Sequence, residues 1–299
     1  MKSITLNNNR IEIRFPYAEG IVRRIKDIPN ARWDNVESCW WLPATKYYAE
    51  QSYQVANEHQ FSIDNGTYNL IHSNGHKKFR DNLYTFQKAD VDFIHANNGT
   101  CLIANDMGTG KTVEALTYAL EADIKSLLVV CPASVLYKWQ DEVSKWTGWE
   151  SQIVLTGKVK IEDVRVHIMS YAIMLNRVYE LSERTFDLIV SDECHRLSNH
   201  KNKQSLAFDQ LTSKRKLFLS GTPFLNRPIE LWHVLNLIDP LSWKSYWAFA
   251  NKYAGATEKE IWTSNGKRKF WDVSGATNLD ELRKKIEPIM VRRTKQEVL

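Results

Sequence analysis

Paired cysteines, long apolar runs and a strong charge of one sign are what this 299-residue chain has least of. Its four cysteines, Cys39, Cys101, Cys131 and Cys194, lie far apart with no C-x-x-C pair. Neither a zinc ribbon nor a disulfide framework is indicated, and a reducing, intracellular home is expected. No run approaches the roughly 18 apolar residues that a membrane span requires, and the opening MKSITLNNNRIEIRF has no apolar signal core. The expectation is a protein that is neither exported nor inserted in a membrane. Charge is nearly balanced: 40 Lys and Arg against 35 Asp and Glu leave +5. That excess suits a nucleic-acid partner but falls far short of a histone-like binder. With 43% hydrophobic and 25% charged residues the composition is that of a folded globular chain, long enough for one large domain and a small one.

The stretch Thr100 to Glu121, TCLIANDMGTGKTVEALTYALE, carries the first chemical signal. It reads as a short apolar strand over Cys101 to Ala104, a turn with Gly108, Thr109 and Gly110, and a helix opened by Lys111-Thr112 with Val113, Leu116 and Leu120 on one face. Two glycines let backbone N–H groups turn inward around phosphate oxygens, and the helix N-terminus adds unpaired donors and a positive dipole end. In such a cradle Lys111 reaches the β- and γ-phosphates and the Thr112 hydroxyl ligates magnesium. The first glycine of the usual G-x-x-x-x-G-K-[ST] pattern is Asn105 here, so a second motif is needed.

Residues 1 to 65 read as a separate small α+β unit. Strands are expected over Ile4–Leu6 and Ile11–Phe15 around an Asn7-Asn8-Asn9 turn, helices over Ala18–Ile28 and Lys46–His59, and a hairpin from Ala31–Asp34 and Ser38–Leu42. Trp33, Trp40, Trp41, Tyr47 and Tyr48 are expected mainly to fill its core, with one or two left to stack on unpaired bases beside Arg23, Arg24, Lys26 and Arg32. Residues 66 to 82 lack a sustained period and are assigned as a linker. Beyond it Gln87, in Leu83-Tyr84-Thr85-Phe86-Gln87, is placed to offer one donor and one acceptor to adenine N6 and N7.

Downstream, apolar runs recur, and each ends in chemistry-bearing residues. Leu127–Cys131 ends in Pro132-Ala133-Ser134, Val164–Met169 in Ser170-Tyr171, Asp187–Val190 in Ser191-Asp192-Glu193, and Leu217–Leu219 in Ser220-Gly221-Thr222. Strands apolar throughout, separated by helical stretches such as Val135–Trp146, describe a parallel sheet covered on both faces, with its ligand site at the carboxyl ends of the strands. Asp192, closing a buried strand, can hold magnesium through its water shell. Glu193 beside it can orient and deprotonate the water that attacks the γ-phosphate. An Asp-Glu pair in that setting, downstream of a Gly-Lys-Thr loop, is the second motif of an ATPase.

Taken together the motifs resemble those of a superfamily-two, helicase-like motor of the Swi/Snf type. Phe86-Gln87 resembles the Q motif, DMGTGKT at 106 to 112 the first ATPase motif, VVCPASVLYKW at 129 to 139 motif Ia, SDECH at 191 to 195 the DExH-type box, and SGTPFLNRPIELWHVLNLIDP at 220 to 240 the motif III region. SGATNLDELRKKIEPIMVRRTKQEVL at 274 to 299 resembles the end of lobe one in the annealing-helicase branch. Residues 11 to 60 resemble the HARP domain that precedes the motor there. The implied fold is α/β: a RecA-like P-loop NTPase lobe over 83 to 299, with a family-specific insertion at about 241 to 286, behind a small α+β HARP-like domain. Two departures stand out. The family's acidic residue before the loop is Asn105, and its usual Leu is Thr109.

The resemblance implies ATP and Mg2+ as cofactors, double-stranded or forked DNA as partner, and a monomeric motor. It implies coupling roles for His195, Ser220 and Thr222, and DNA-backbone contacts by Pro132, Ser134, Lys138, Ser170 and Tyr171. The family's second RecA-like lobe with its arginine finger is expected in cis or in trans, since the motifs it carries lie beyond Leu299. A single lobe is then expected to bind ATP-magnesium weakly and to hydrolyse it slowly, because such a finger supplies roughly 10³ to 10⁵ in rate. Arg292 and Arg293 match pre-linker arginines, not fingers. The leading reading is the N-terminal half of an ATP-driven duplex DNA translocase; the alternative is a nucleotide-gated DNA-structure-binding scaffold. A GTPase is disfavoured, since no N-K-x-D motif appears. For Trp262–Trp271, WTSNGKRKFW, a solvated hairpin is preferred over a DNA-stacking element.

Overall fold

The computed structural model describes residues 2–7, 10–29, 31–44, 46–64, 67, 80–221, 227–263 and 266–298. They group into a unit of Met1–Asn82 with Ser144–Trp149, and a larger unit of Leu83–Val143 with Glu150–Leu299. The sequence expectations for Asn8, Asn9, the Tyr47 side chain, linker residues 68–79 and Thr222 lie outside the described residues.

In the smaller unit, strands β1 (Ser3–Asn7), β2 (Arg10–Arg14), β3 (Arg32–Asp34), β4 (Cys39–Pro43) and β5 (Ser62–Ile63) form one sheet in the order β3-β4-β2-β1-β5. Helices Glu19–Lys26 and Lys46–His59 complete it. The register pairs Ile11 with Leu42 and Ile13 with Trp40. It thereby lines one face with the apolar residues that meet Ile4, Ile21, Ile25 and Tyr48 in the core. This core corrects in part the expectation that Trp33, Trp40, Trp41, Tyr47 and Tyr48 mainly fill it: Tyr48 enters it and Trp40 packs against it, but isoleucines make up its largest share. Trp40 is only partly buried, Trp33 is 48% exposed, and Trp41 lies within 6.0 Å of the Arg10 guanidinium and 5.8 Å of that of Arg32. The isoleucines suffice because β1, β2 and the first helix each contribute fully buried ones, so no large ring is needed to fill the space.

The larger unit is built on strands β6 (Cys101–Ile103), β7 (Leu127–Cys131), β8 (Ser151–Val154), β9 (Val166–Ser170), β10 (Thr185–Phe186), β11 (Leu188–Asp192), β12 (Thr212–Ser213), β13 (Lys216–Leu219), β14 (Thr257–Thr263), β15 (Gly266–Asp272) and β16 (Met290–Val291). Seven form an all-parallel sheet in the order β16-β6-β13-β11-β7-β9-β8. All five residues of β7 are fully buried, as a strand covered on both faces requires. Helices Thr85–Ala96, Lys111–Glu121, Leu136–Thr147, Lys203–Asp209 and Trp232–Ile238 lie before or between these strands in the chain. The parallel α/β lobe expected from the apolar runs is therefore present, with β8 and β16 added at its two edges. Registers Cys131↔Ser170 and Asp192↔Leu219 bring the strand ends level, so one edge of the sheet collects every loop that carries a motif.

Among the described residues β14 and β15 pair only with each other. Lys267 pairs with Glu260, Lys259 with Asp272, and Lys269 with Glu258 at 3.0 Å, so the basic run is largely answered within the hairpin. Trp271 packs against Trp247 at 5.3 Å between ring centroids, while Trp262 is left exposed. These contacts favour the solvated-hairpin reading. Among the described residues, no helix is long and apolar enough to cross a membrane.

Candidate active site

The loop leaving β6 turns through Gly108 at φ +83° and Gly110 at φ +96°, both left-handed, and Gly110 caps the Lys111–Glu121 helix. The left-handed φ of Gly110 strains any other residue, and a Cβ there would stand 2.3 Å from Gln87 Nε2 and push that amide aside. That nitrogen donates to the Thr109 carbonyl at 2.8 Å, and Gln87 Oε1 accepts from Tyr84 N at 3.0 Å. Gln87 thus braces the loop while using one of its two N–H groups and one of its oxygen lone pairs.

Lys111 is buried and donates to the carbonyls of Asn105 at 2.7 Å and Asp106 at 3.0 Å. Burial pulls its pKa down, against the pull of Glu193 and Asp192 upward. Asn105 is fully buried, and its Nδ2 donates to Asp90 Oδ2 at 2.7 Å. The departure from the family's acid at this position has a physical reason here: a carboxylate would face Asp90, itself fully buried, at hydrogen-bond distance. Thr109 Oγ1, the second departure, donates back to the Asp106 carbonyl at 3.0 Å.

Across the cleft, β11 ends in Asp192. Its Oδ2 accepts from Trp139 Nε1 at 2.8 Å and its Oδ1 from Glu193 N at 3.0 Å. Burial raises the pKa of Asp192, and the Trp139 indole holds it down. Glu193 sits in the left-handed region at φ 52°, a conformation that costs a non-glycine residue roughly 1–2 kcal/mol. Its Oε2 lies 3.1 Å from His195 Nδ1, and this neighbour is the main reason its pKa is lowered, so Glu193 is held as a carboxylate.

Gly108, Gly110, Lys111, Thr112, Asp192, Glu193 and His195 all line one cleft of about 630 Å³. Pro132, Ser134 and Lys138, expected at a DNA face, line the same cleft together with Trp139, Glu142 and Arg196. Ser220 is buried and its N–H donates to the Ile103 carbonyl at 3.0 Å, which ties β13 to the base of the loop.

Tyr171 requires a correction. Its side chain is 2% exposed, and its hydroxyl lies 2.8 Å from Ser191 Oγ and donates to the Asp192 carbonyl at 2.7 Å. The ring therefore supports the Asp-Glu turn from within and cannot reach a phosphate backbone. Ser170 is buried too, its Oγ accepting from Ile173 N at 3.3 Å as the cap of the next helix. Three residues escaped the sequence reading: Trp139, which holds Asp192; Asp90, which holds Asn105; and Glu114, fully buried behind the loop with no hydrogen-bond partner among the described residues on either carboxyl oxygen. An indole in a run ending at the helix face was visible, but its partner lies 53 residues away.

A buried lysine, a hydroxyl at a helix start and a strand-end carboxylate, all on one cleft, offer hard oxygen donors that suit a magnesium ion and a cation that suits phosphate.

The profile of the SNF2-related domain matches residues 58–299. The chain is 29% identical over 325 residues to the Bos taurus SWI/SNF-related matrix-associated actin-dependent regulator of chromatin subfamily A-like protein 1, covering 99% of this chain and 34% of that protein. It is 31% identical over 236 residues to the Homo sapiens DNA annealing helicase and endonuclease ZRANB3, covering 74% of this chain and 21% of that one. It therefore spans about a third or less of the length of these relatives. The Sulfolobus solfataricus SWI2/SNF2 ATPase core solved in complex with dsDNA superposes with a TM-score of 0.60 at 28% identity, over 73% of this chain and 47% of that chain.

Proposed function

The chain belongs to the SNF2-related domain family, and from that premise we propose that it is the nucleotide-binding lobe of an ATP-dependent double-stranded DNA translocase of the annealing-helicase kind. The observation that carries the reading is the convergence of Lys111, Thr112, Asp192 and Glu193 on one cleft at the carboxyl ends of β6 and β11.

In this reading Lys111 exchanges the Asn105 and Asp106 carbonyls for phosphate oxygens. Thr112 and Asp192 would hold Mg2+, and Glu193, ionised beside His195, would take the proton of the attacking water. His195, Ser220 and Thr222 relay the nucleotide state. Magnesium supplies charge neutralisation on the phosphates when bound. Pro132, Ser134 and Lys138 meet the DNA backbone from the cleft rim, without sequence preference. Ser170 and Tyr171, both buried, support the strand end from within. A second RecA-like lobe, in cis or in trans, closes the site. The small N-terminal unit acts as a HARP-like module, and the motor works as an intracellular monomer.

The test is ATP hydrolysis with the second lobe supplied, measured with and without duplex DNA. Stimulation by DNA that Glu193→Gln abolishes is expected. Duplex binding without any stimulated hydrolysis would replace the motor with a nucleotide-gated scaffold.

A further inference from the structure

The cradle described above uses one lysine, but a second ammonium stands at the loop. β16 pairs with β6 through Met290↔Leu102 and Val291↔Ile103. The pairing continues past both strands: Ala104 N donates to the Val291 carbonyl at 2.8 Å and Asp106 N to the Arg293 carbonyl at 3.0 Å. Lys295 N then donates to Asp106 Oδ2 at 3.1 Å, and Arg293 Nε to Asp90 Oδ1 at 2.8 Å. Asp90 in turn receives the Asn105 amide. The segment Arg293–Lys295 is thus fixed beside the glycine loop by three hydrogen bonds of its own, following the β16–β6 ladder.

The consequence is the placement of Lys295. Its Nζ lies 3.3 Å from where a Cβ of Gly108 would be, while Nζ of Lys111 lies 3.4 Å from the corresponding point on Gly221. Both ammonium groups therefore lie close to glycines of the site, Lys111 on the cleft wall and Lys295 beside the Gly108 turn. Lys295 is exposed, and among the described residues its ammonium has neither an ion pair nor a hydrogen bond. Holding a long cationic side chain against a turn already rich in N–H donors gains nothing unless an anion arrives. A nucleoside polyphosphate with magnesium still carries net negative charge that one lysine does not neutralise.

We propose that Lys295 is a phosphate-binding residue of the nucleotide site, a cation delivered to the polyphosphate by the segment that follows β16. The proposal rests on the nucleotide reading of the cleft. It also makes occupancy of the site a constraint on that segment, because Arg293 and the Lys295 main chain share the loop's own hydrogen bonds.

Isothermal titration of the 299-residue chain with MgATP, MgADP and adenosine separates the two readings. Lys295→Met keeps the main-chain bond to Asp106 and removes only the charge. It is expected to weaken MgATP about tenfold, as loss of one charge-assisted hydrogen bond would, to leave adenosine unchanged, and to keep the thermal midpoint. Lys295→Arg should restore most of the affinity. If Lys295→Met binds MgATP like the wild type while Lys111→Ala does not bind, the role of Lys295 is wrong and the nucleotide site stands. Equal weakening for adenosine would mark Lys295 as structural and overturn the proposal. Absence of MgATP binding by the wild type would overturn the nucleotide reading itself.

Discussion

Glu114 gives the most quantitative test of the electrostatics behind the phosphate loop. It lies one turn into the Lys111–Glu121 helix, fully buried, with neither carboxyl oxygen hydrogen-bonded to any described residue. Burial, reinforced by Asp90 and opposed by Lys111 and Arg293, raises its pKa from 4.5 to about 8. At neutral pH the group is a neutral acid, which leaves the charge of Lys111 uncompensated by Glu114. Between the two pKa values the folded state holds a proton that the unfolded state has released, so stability must fall as pH rises through that window. From pH 5 to pH 8 the fall amounts to at most about 4 kcal/mol, at about 1.4 kcal/mol per pH unit. Below about pH 4.5 and above about pH 8 this contribution is flat. Glu114→Gln, nearly isosteric and unable to ionise, should lose this slope. Urea unfolding of both proteins at pH 5, 6, 7, 8 and 9 checks it, because the difference between the curves isolates Glu114 from every other titrating group. Curves that stay parallel within about 1 kcal/mol would refute the reasoning and mean that Glu114 is ionised and paired in solution.

Three further outcomes follow from single contacts. Trp139→Phe removes the donor to Asp192 Oδ2 and should cost about 1.5–3 kcal/mol in stability. It should also raise the Asp192 pKa further, so that magnesium-dependent nucleotide binding weakens most at low pH; a titration at pH 6 and pH 8 reads this. Gly110→Ala drives a methyl group into Gln87 Nε2 and forces a left-handed alanine. Nucleotide affinity should fall at least tenfold, whereas Gly20→Ala, with open space around it, should be neutral. Tyr171→Phe strands the Asp192 carbonyl and should destabilise the chain by about 1–3 kcal/mol while leaving DNA affinity at fixed salt unchanged. A selective loss of DNA binding would restore the ring to the DNA face.

Strands buried on both faces announce themselves as unbroken apolar runs, and Leu127–Cys131 is the clear case: every side chain faces a covering layer, so nothing polar interrupts it. β16 offers no such signal. Two residues, Met290 and Val291, join the sheet only because they meet Leu102 and Ile103 nearly 190 residues away, and no local pattern encodes such a pairing. The site divides in the same way. Gly110, Lys111 and Asp192 follow from spacing, because their chemistry depends on the turn or strand end that carries them. Trp139 against Asp192, Arg293 against Asp90 and Lys295 beside Gly108 are meetings between distant segments. Tyr171 shows the opposite error. A polar aromatic at a strand end reads as a surface contact, yet the hydroxyl is satisfied internally by Ser191 and the Asp192 carbonyl, so burial carries no desolvation penalty.

The account stands on one convergence, and calorimetry with MgATP tests it most directly. The wild-type chain should bind with one site per molecule, Lys111→Ala should abolish binding, and Asp192→Asn should remove the dependence on magnesium. Lys111→Ala binding MgATP as the wild type does, or a wild-type chain with no affinity for it, would contradict the account.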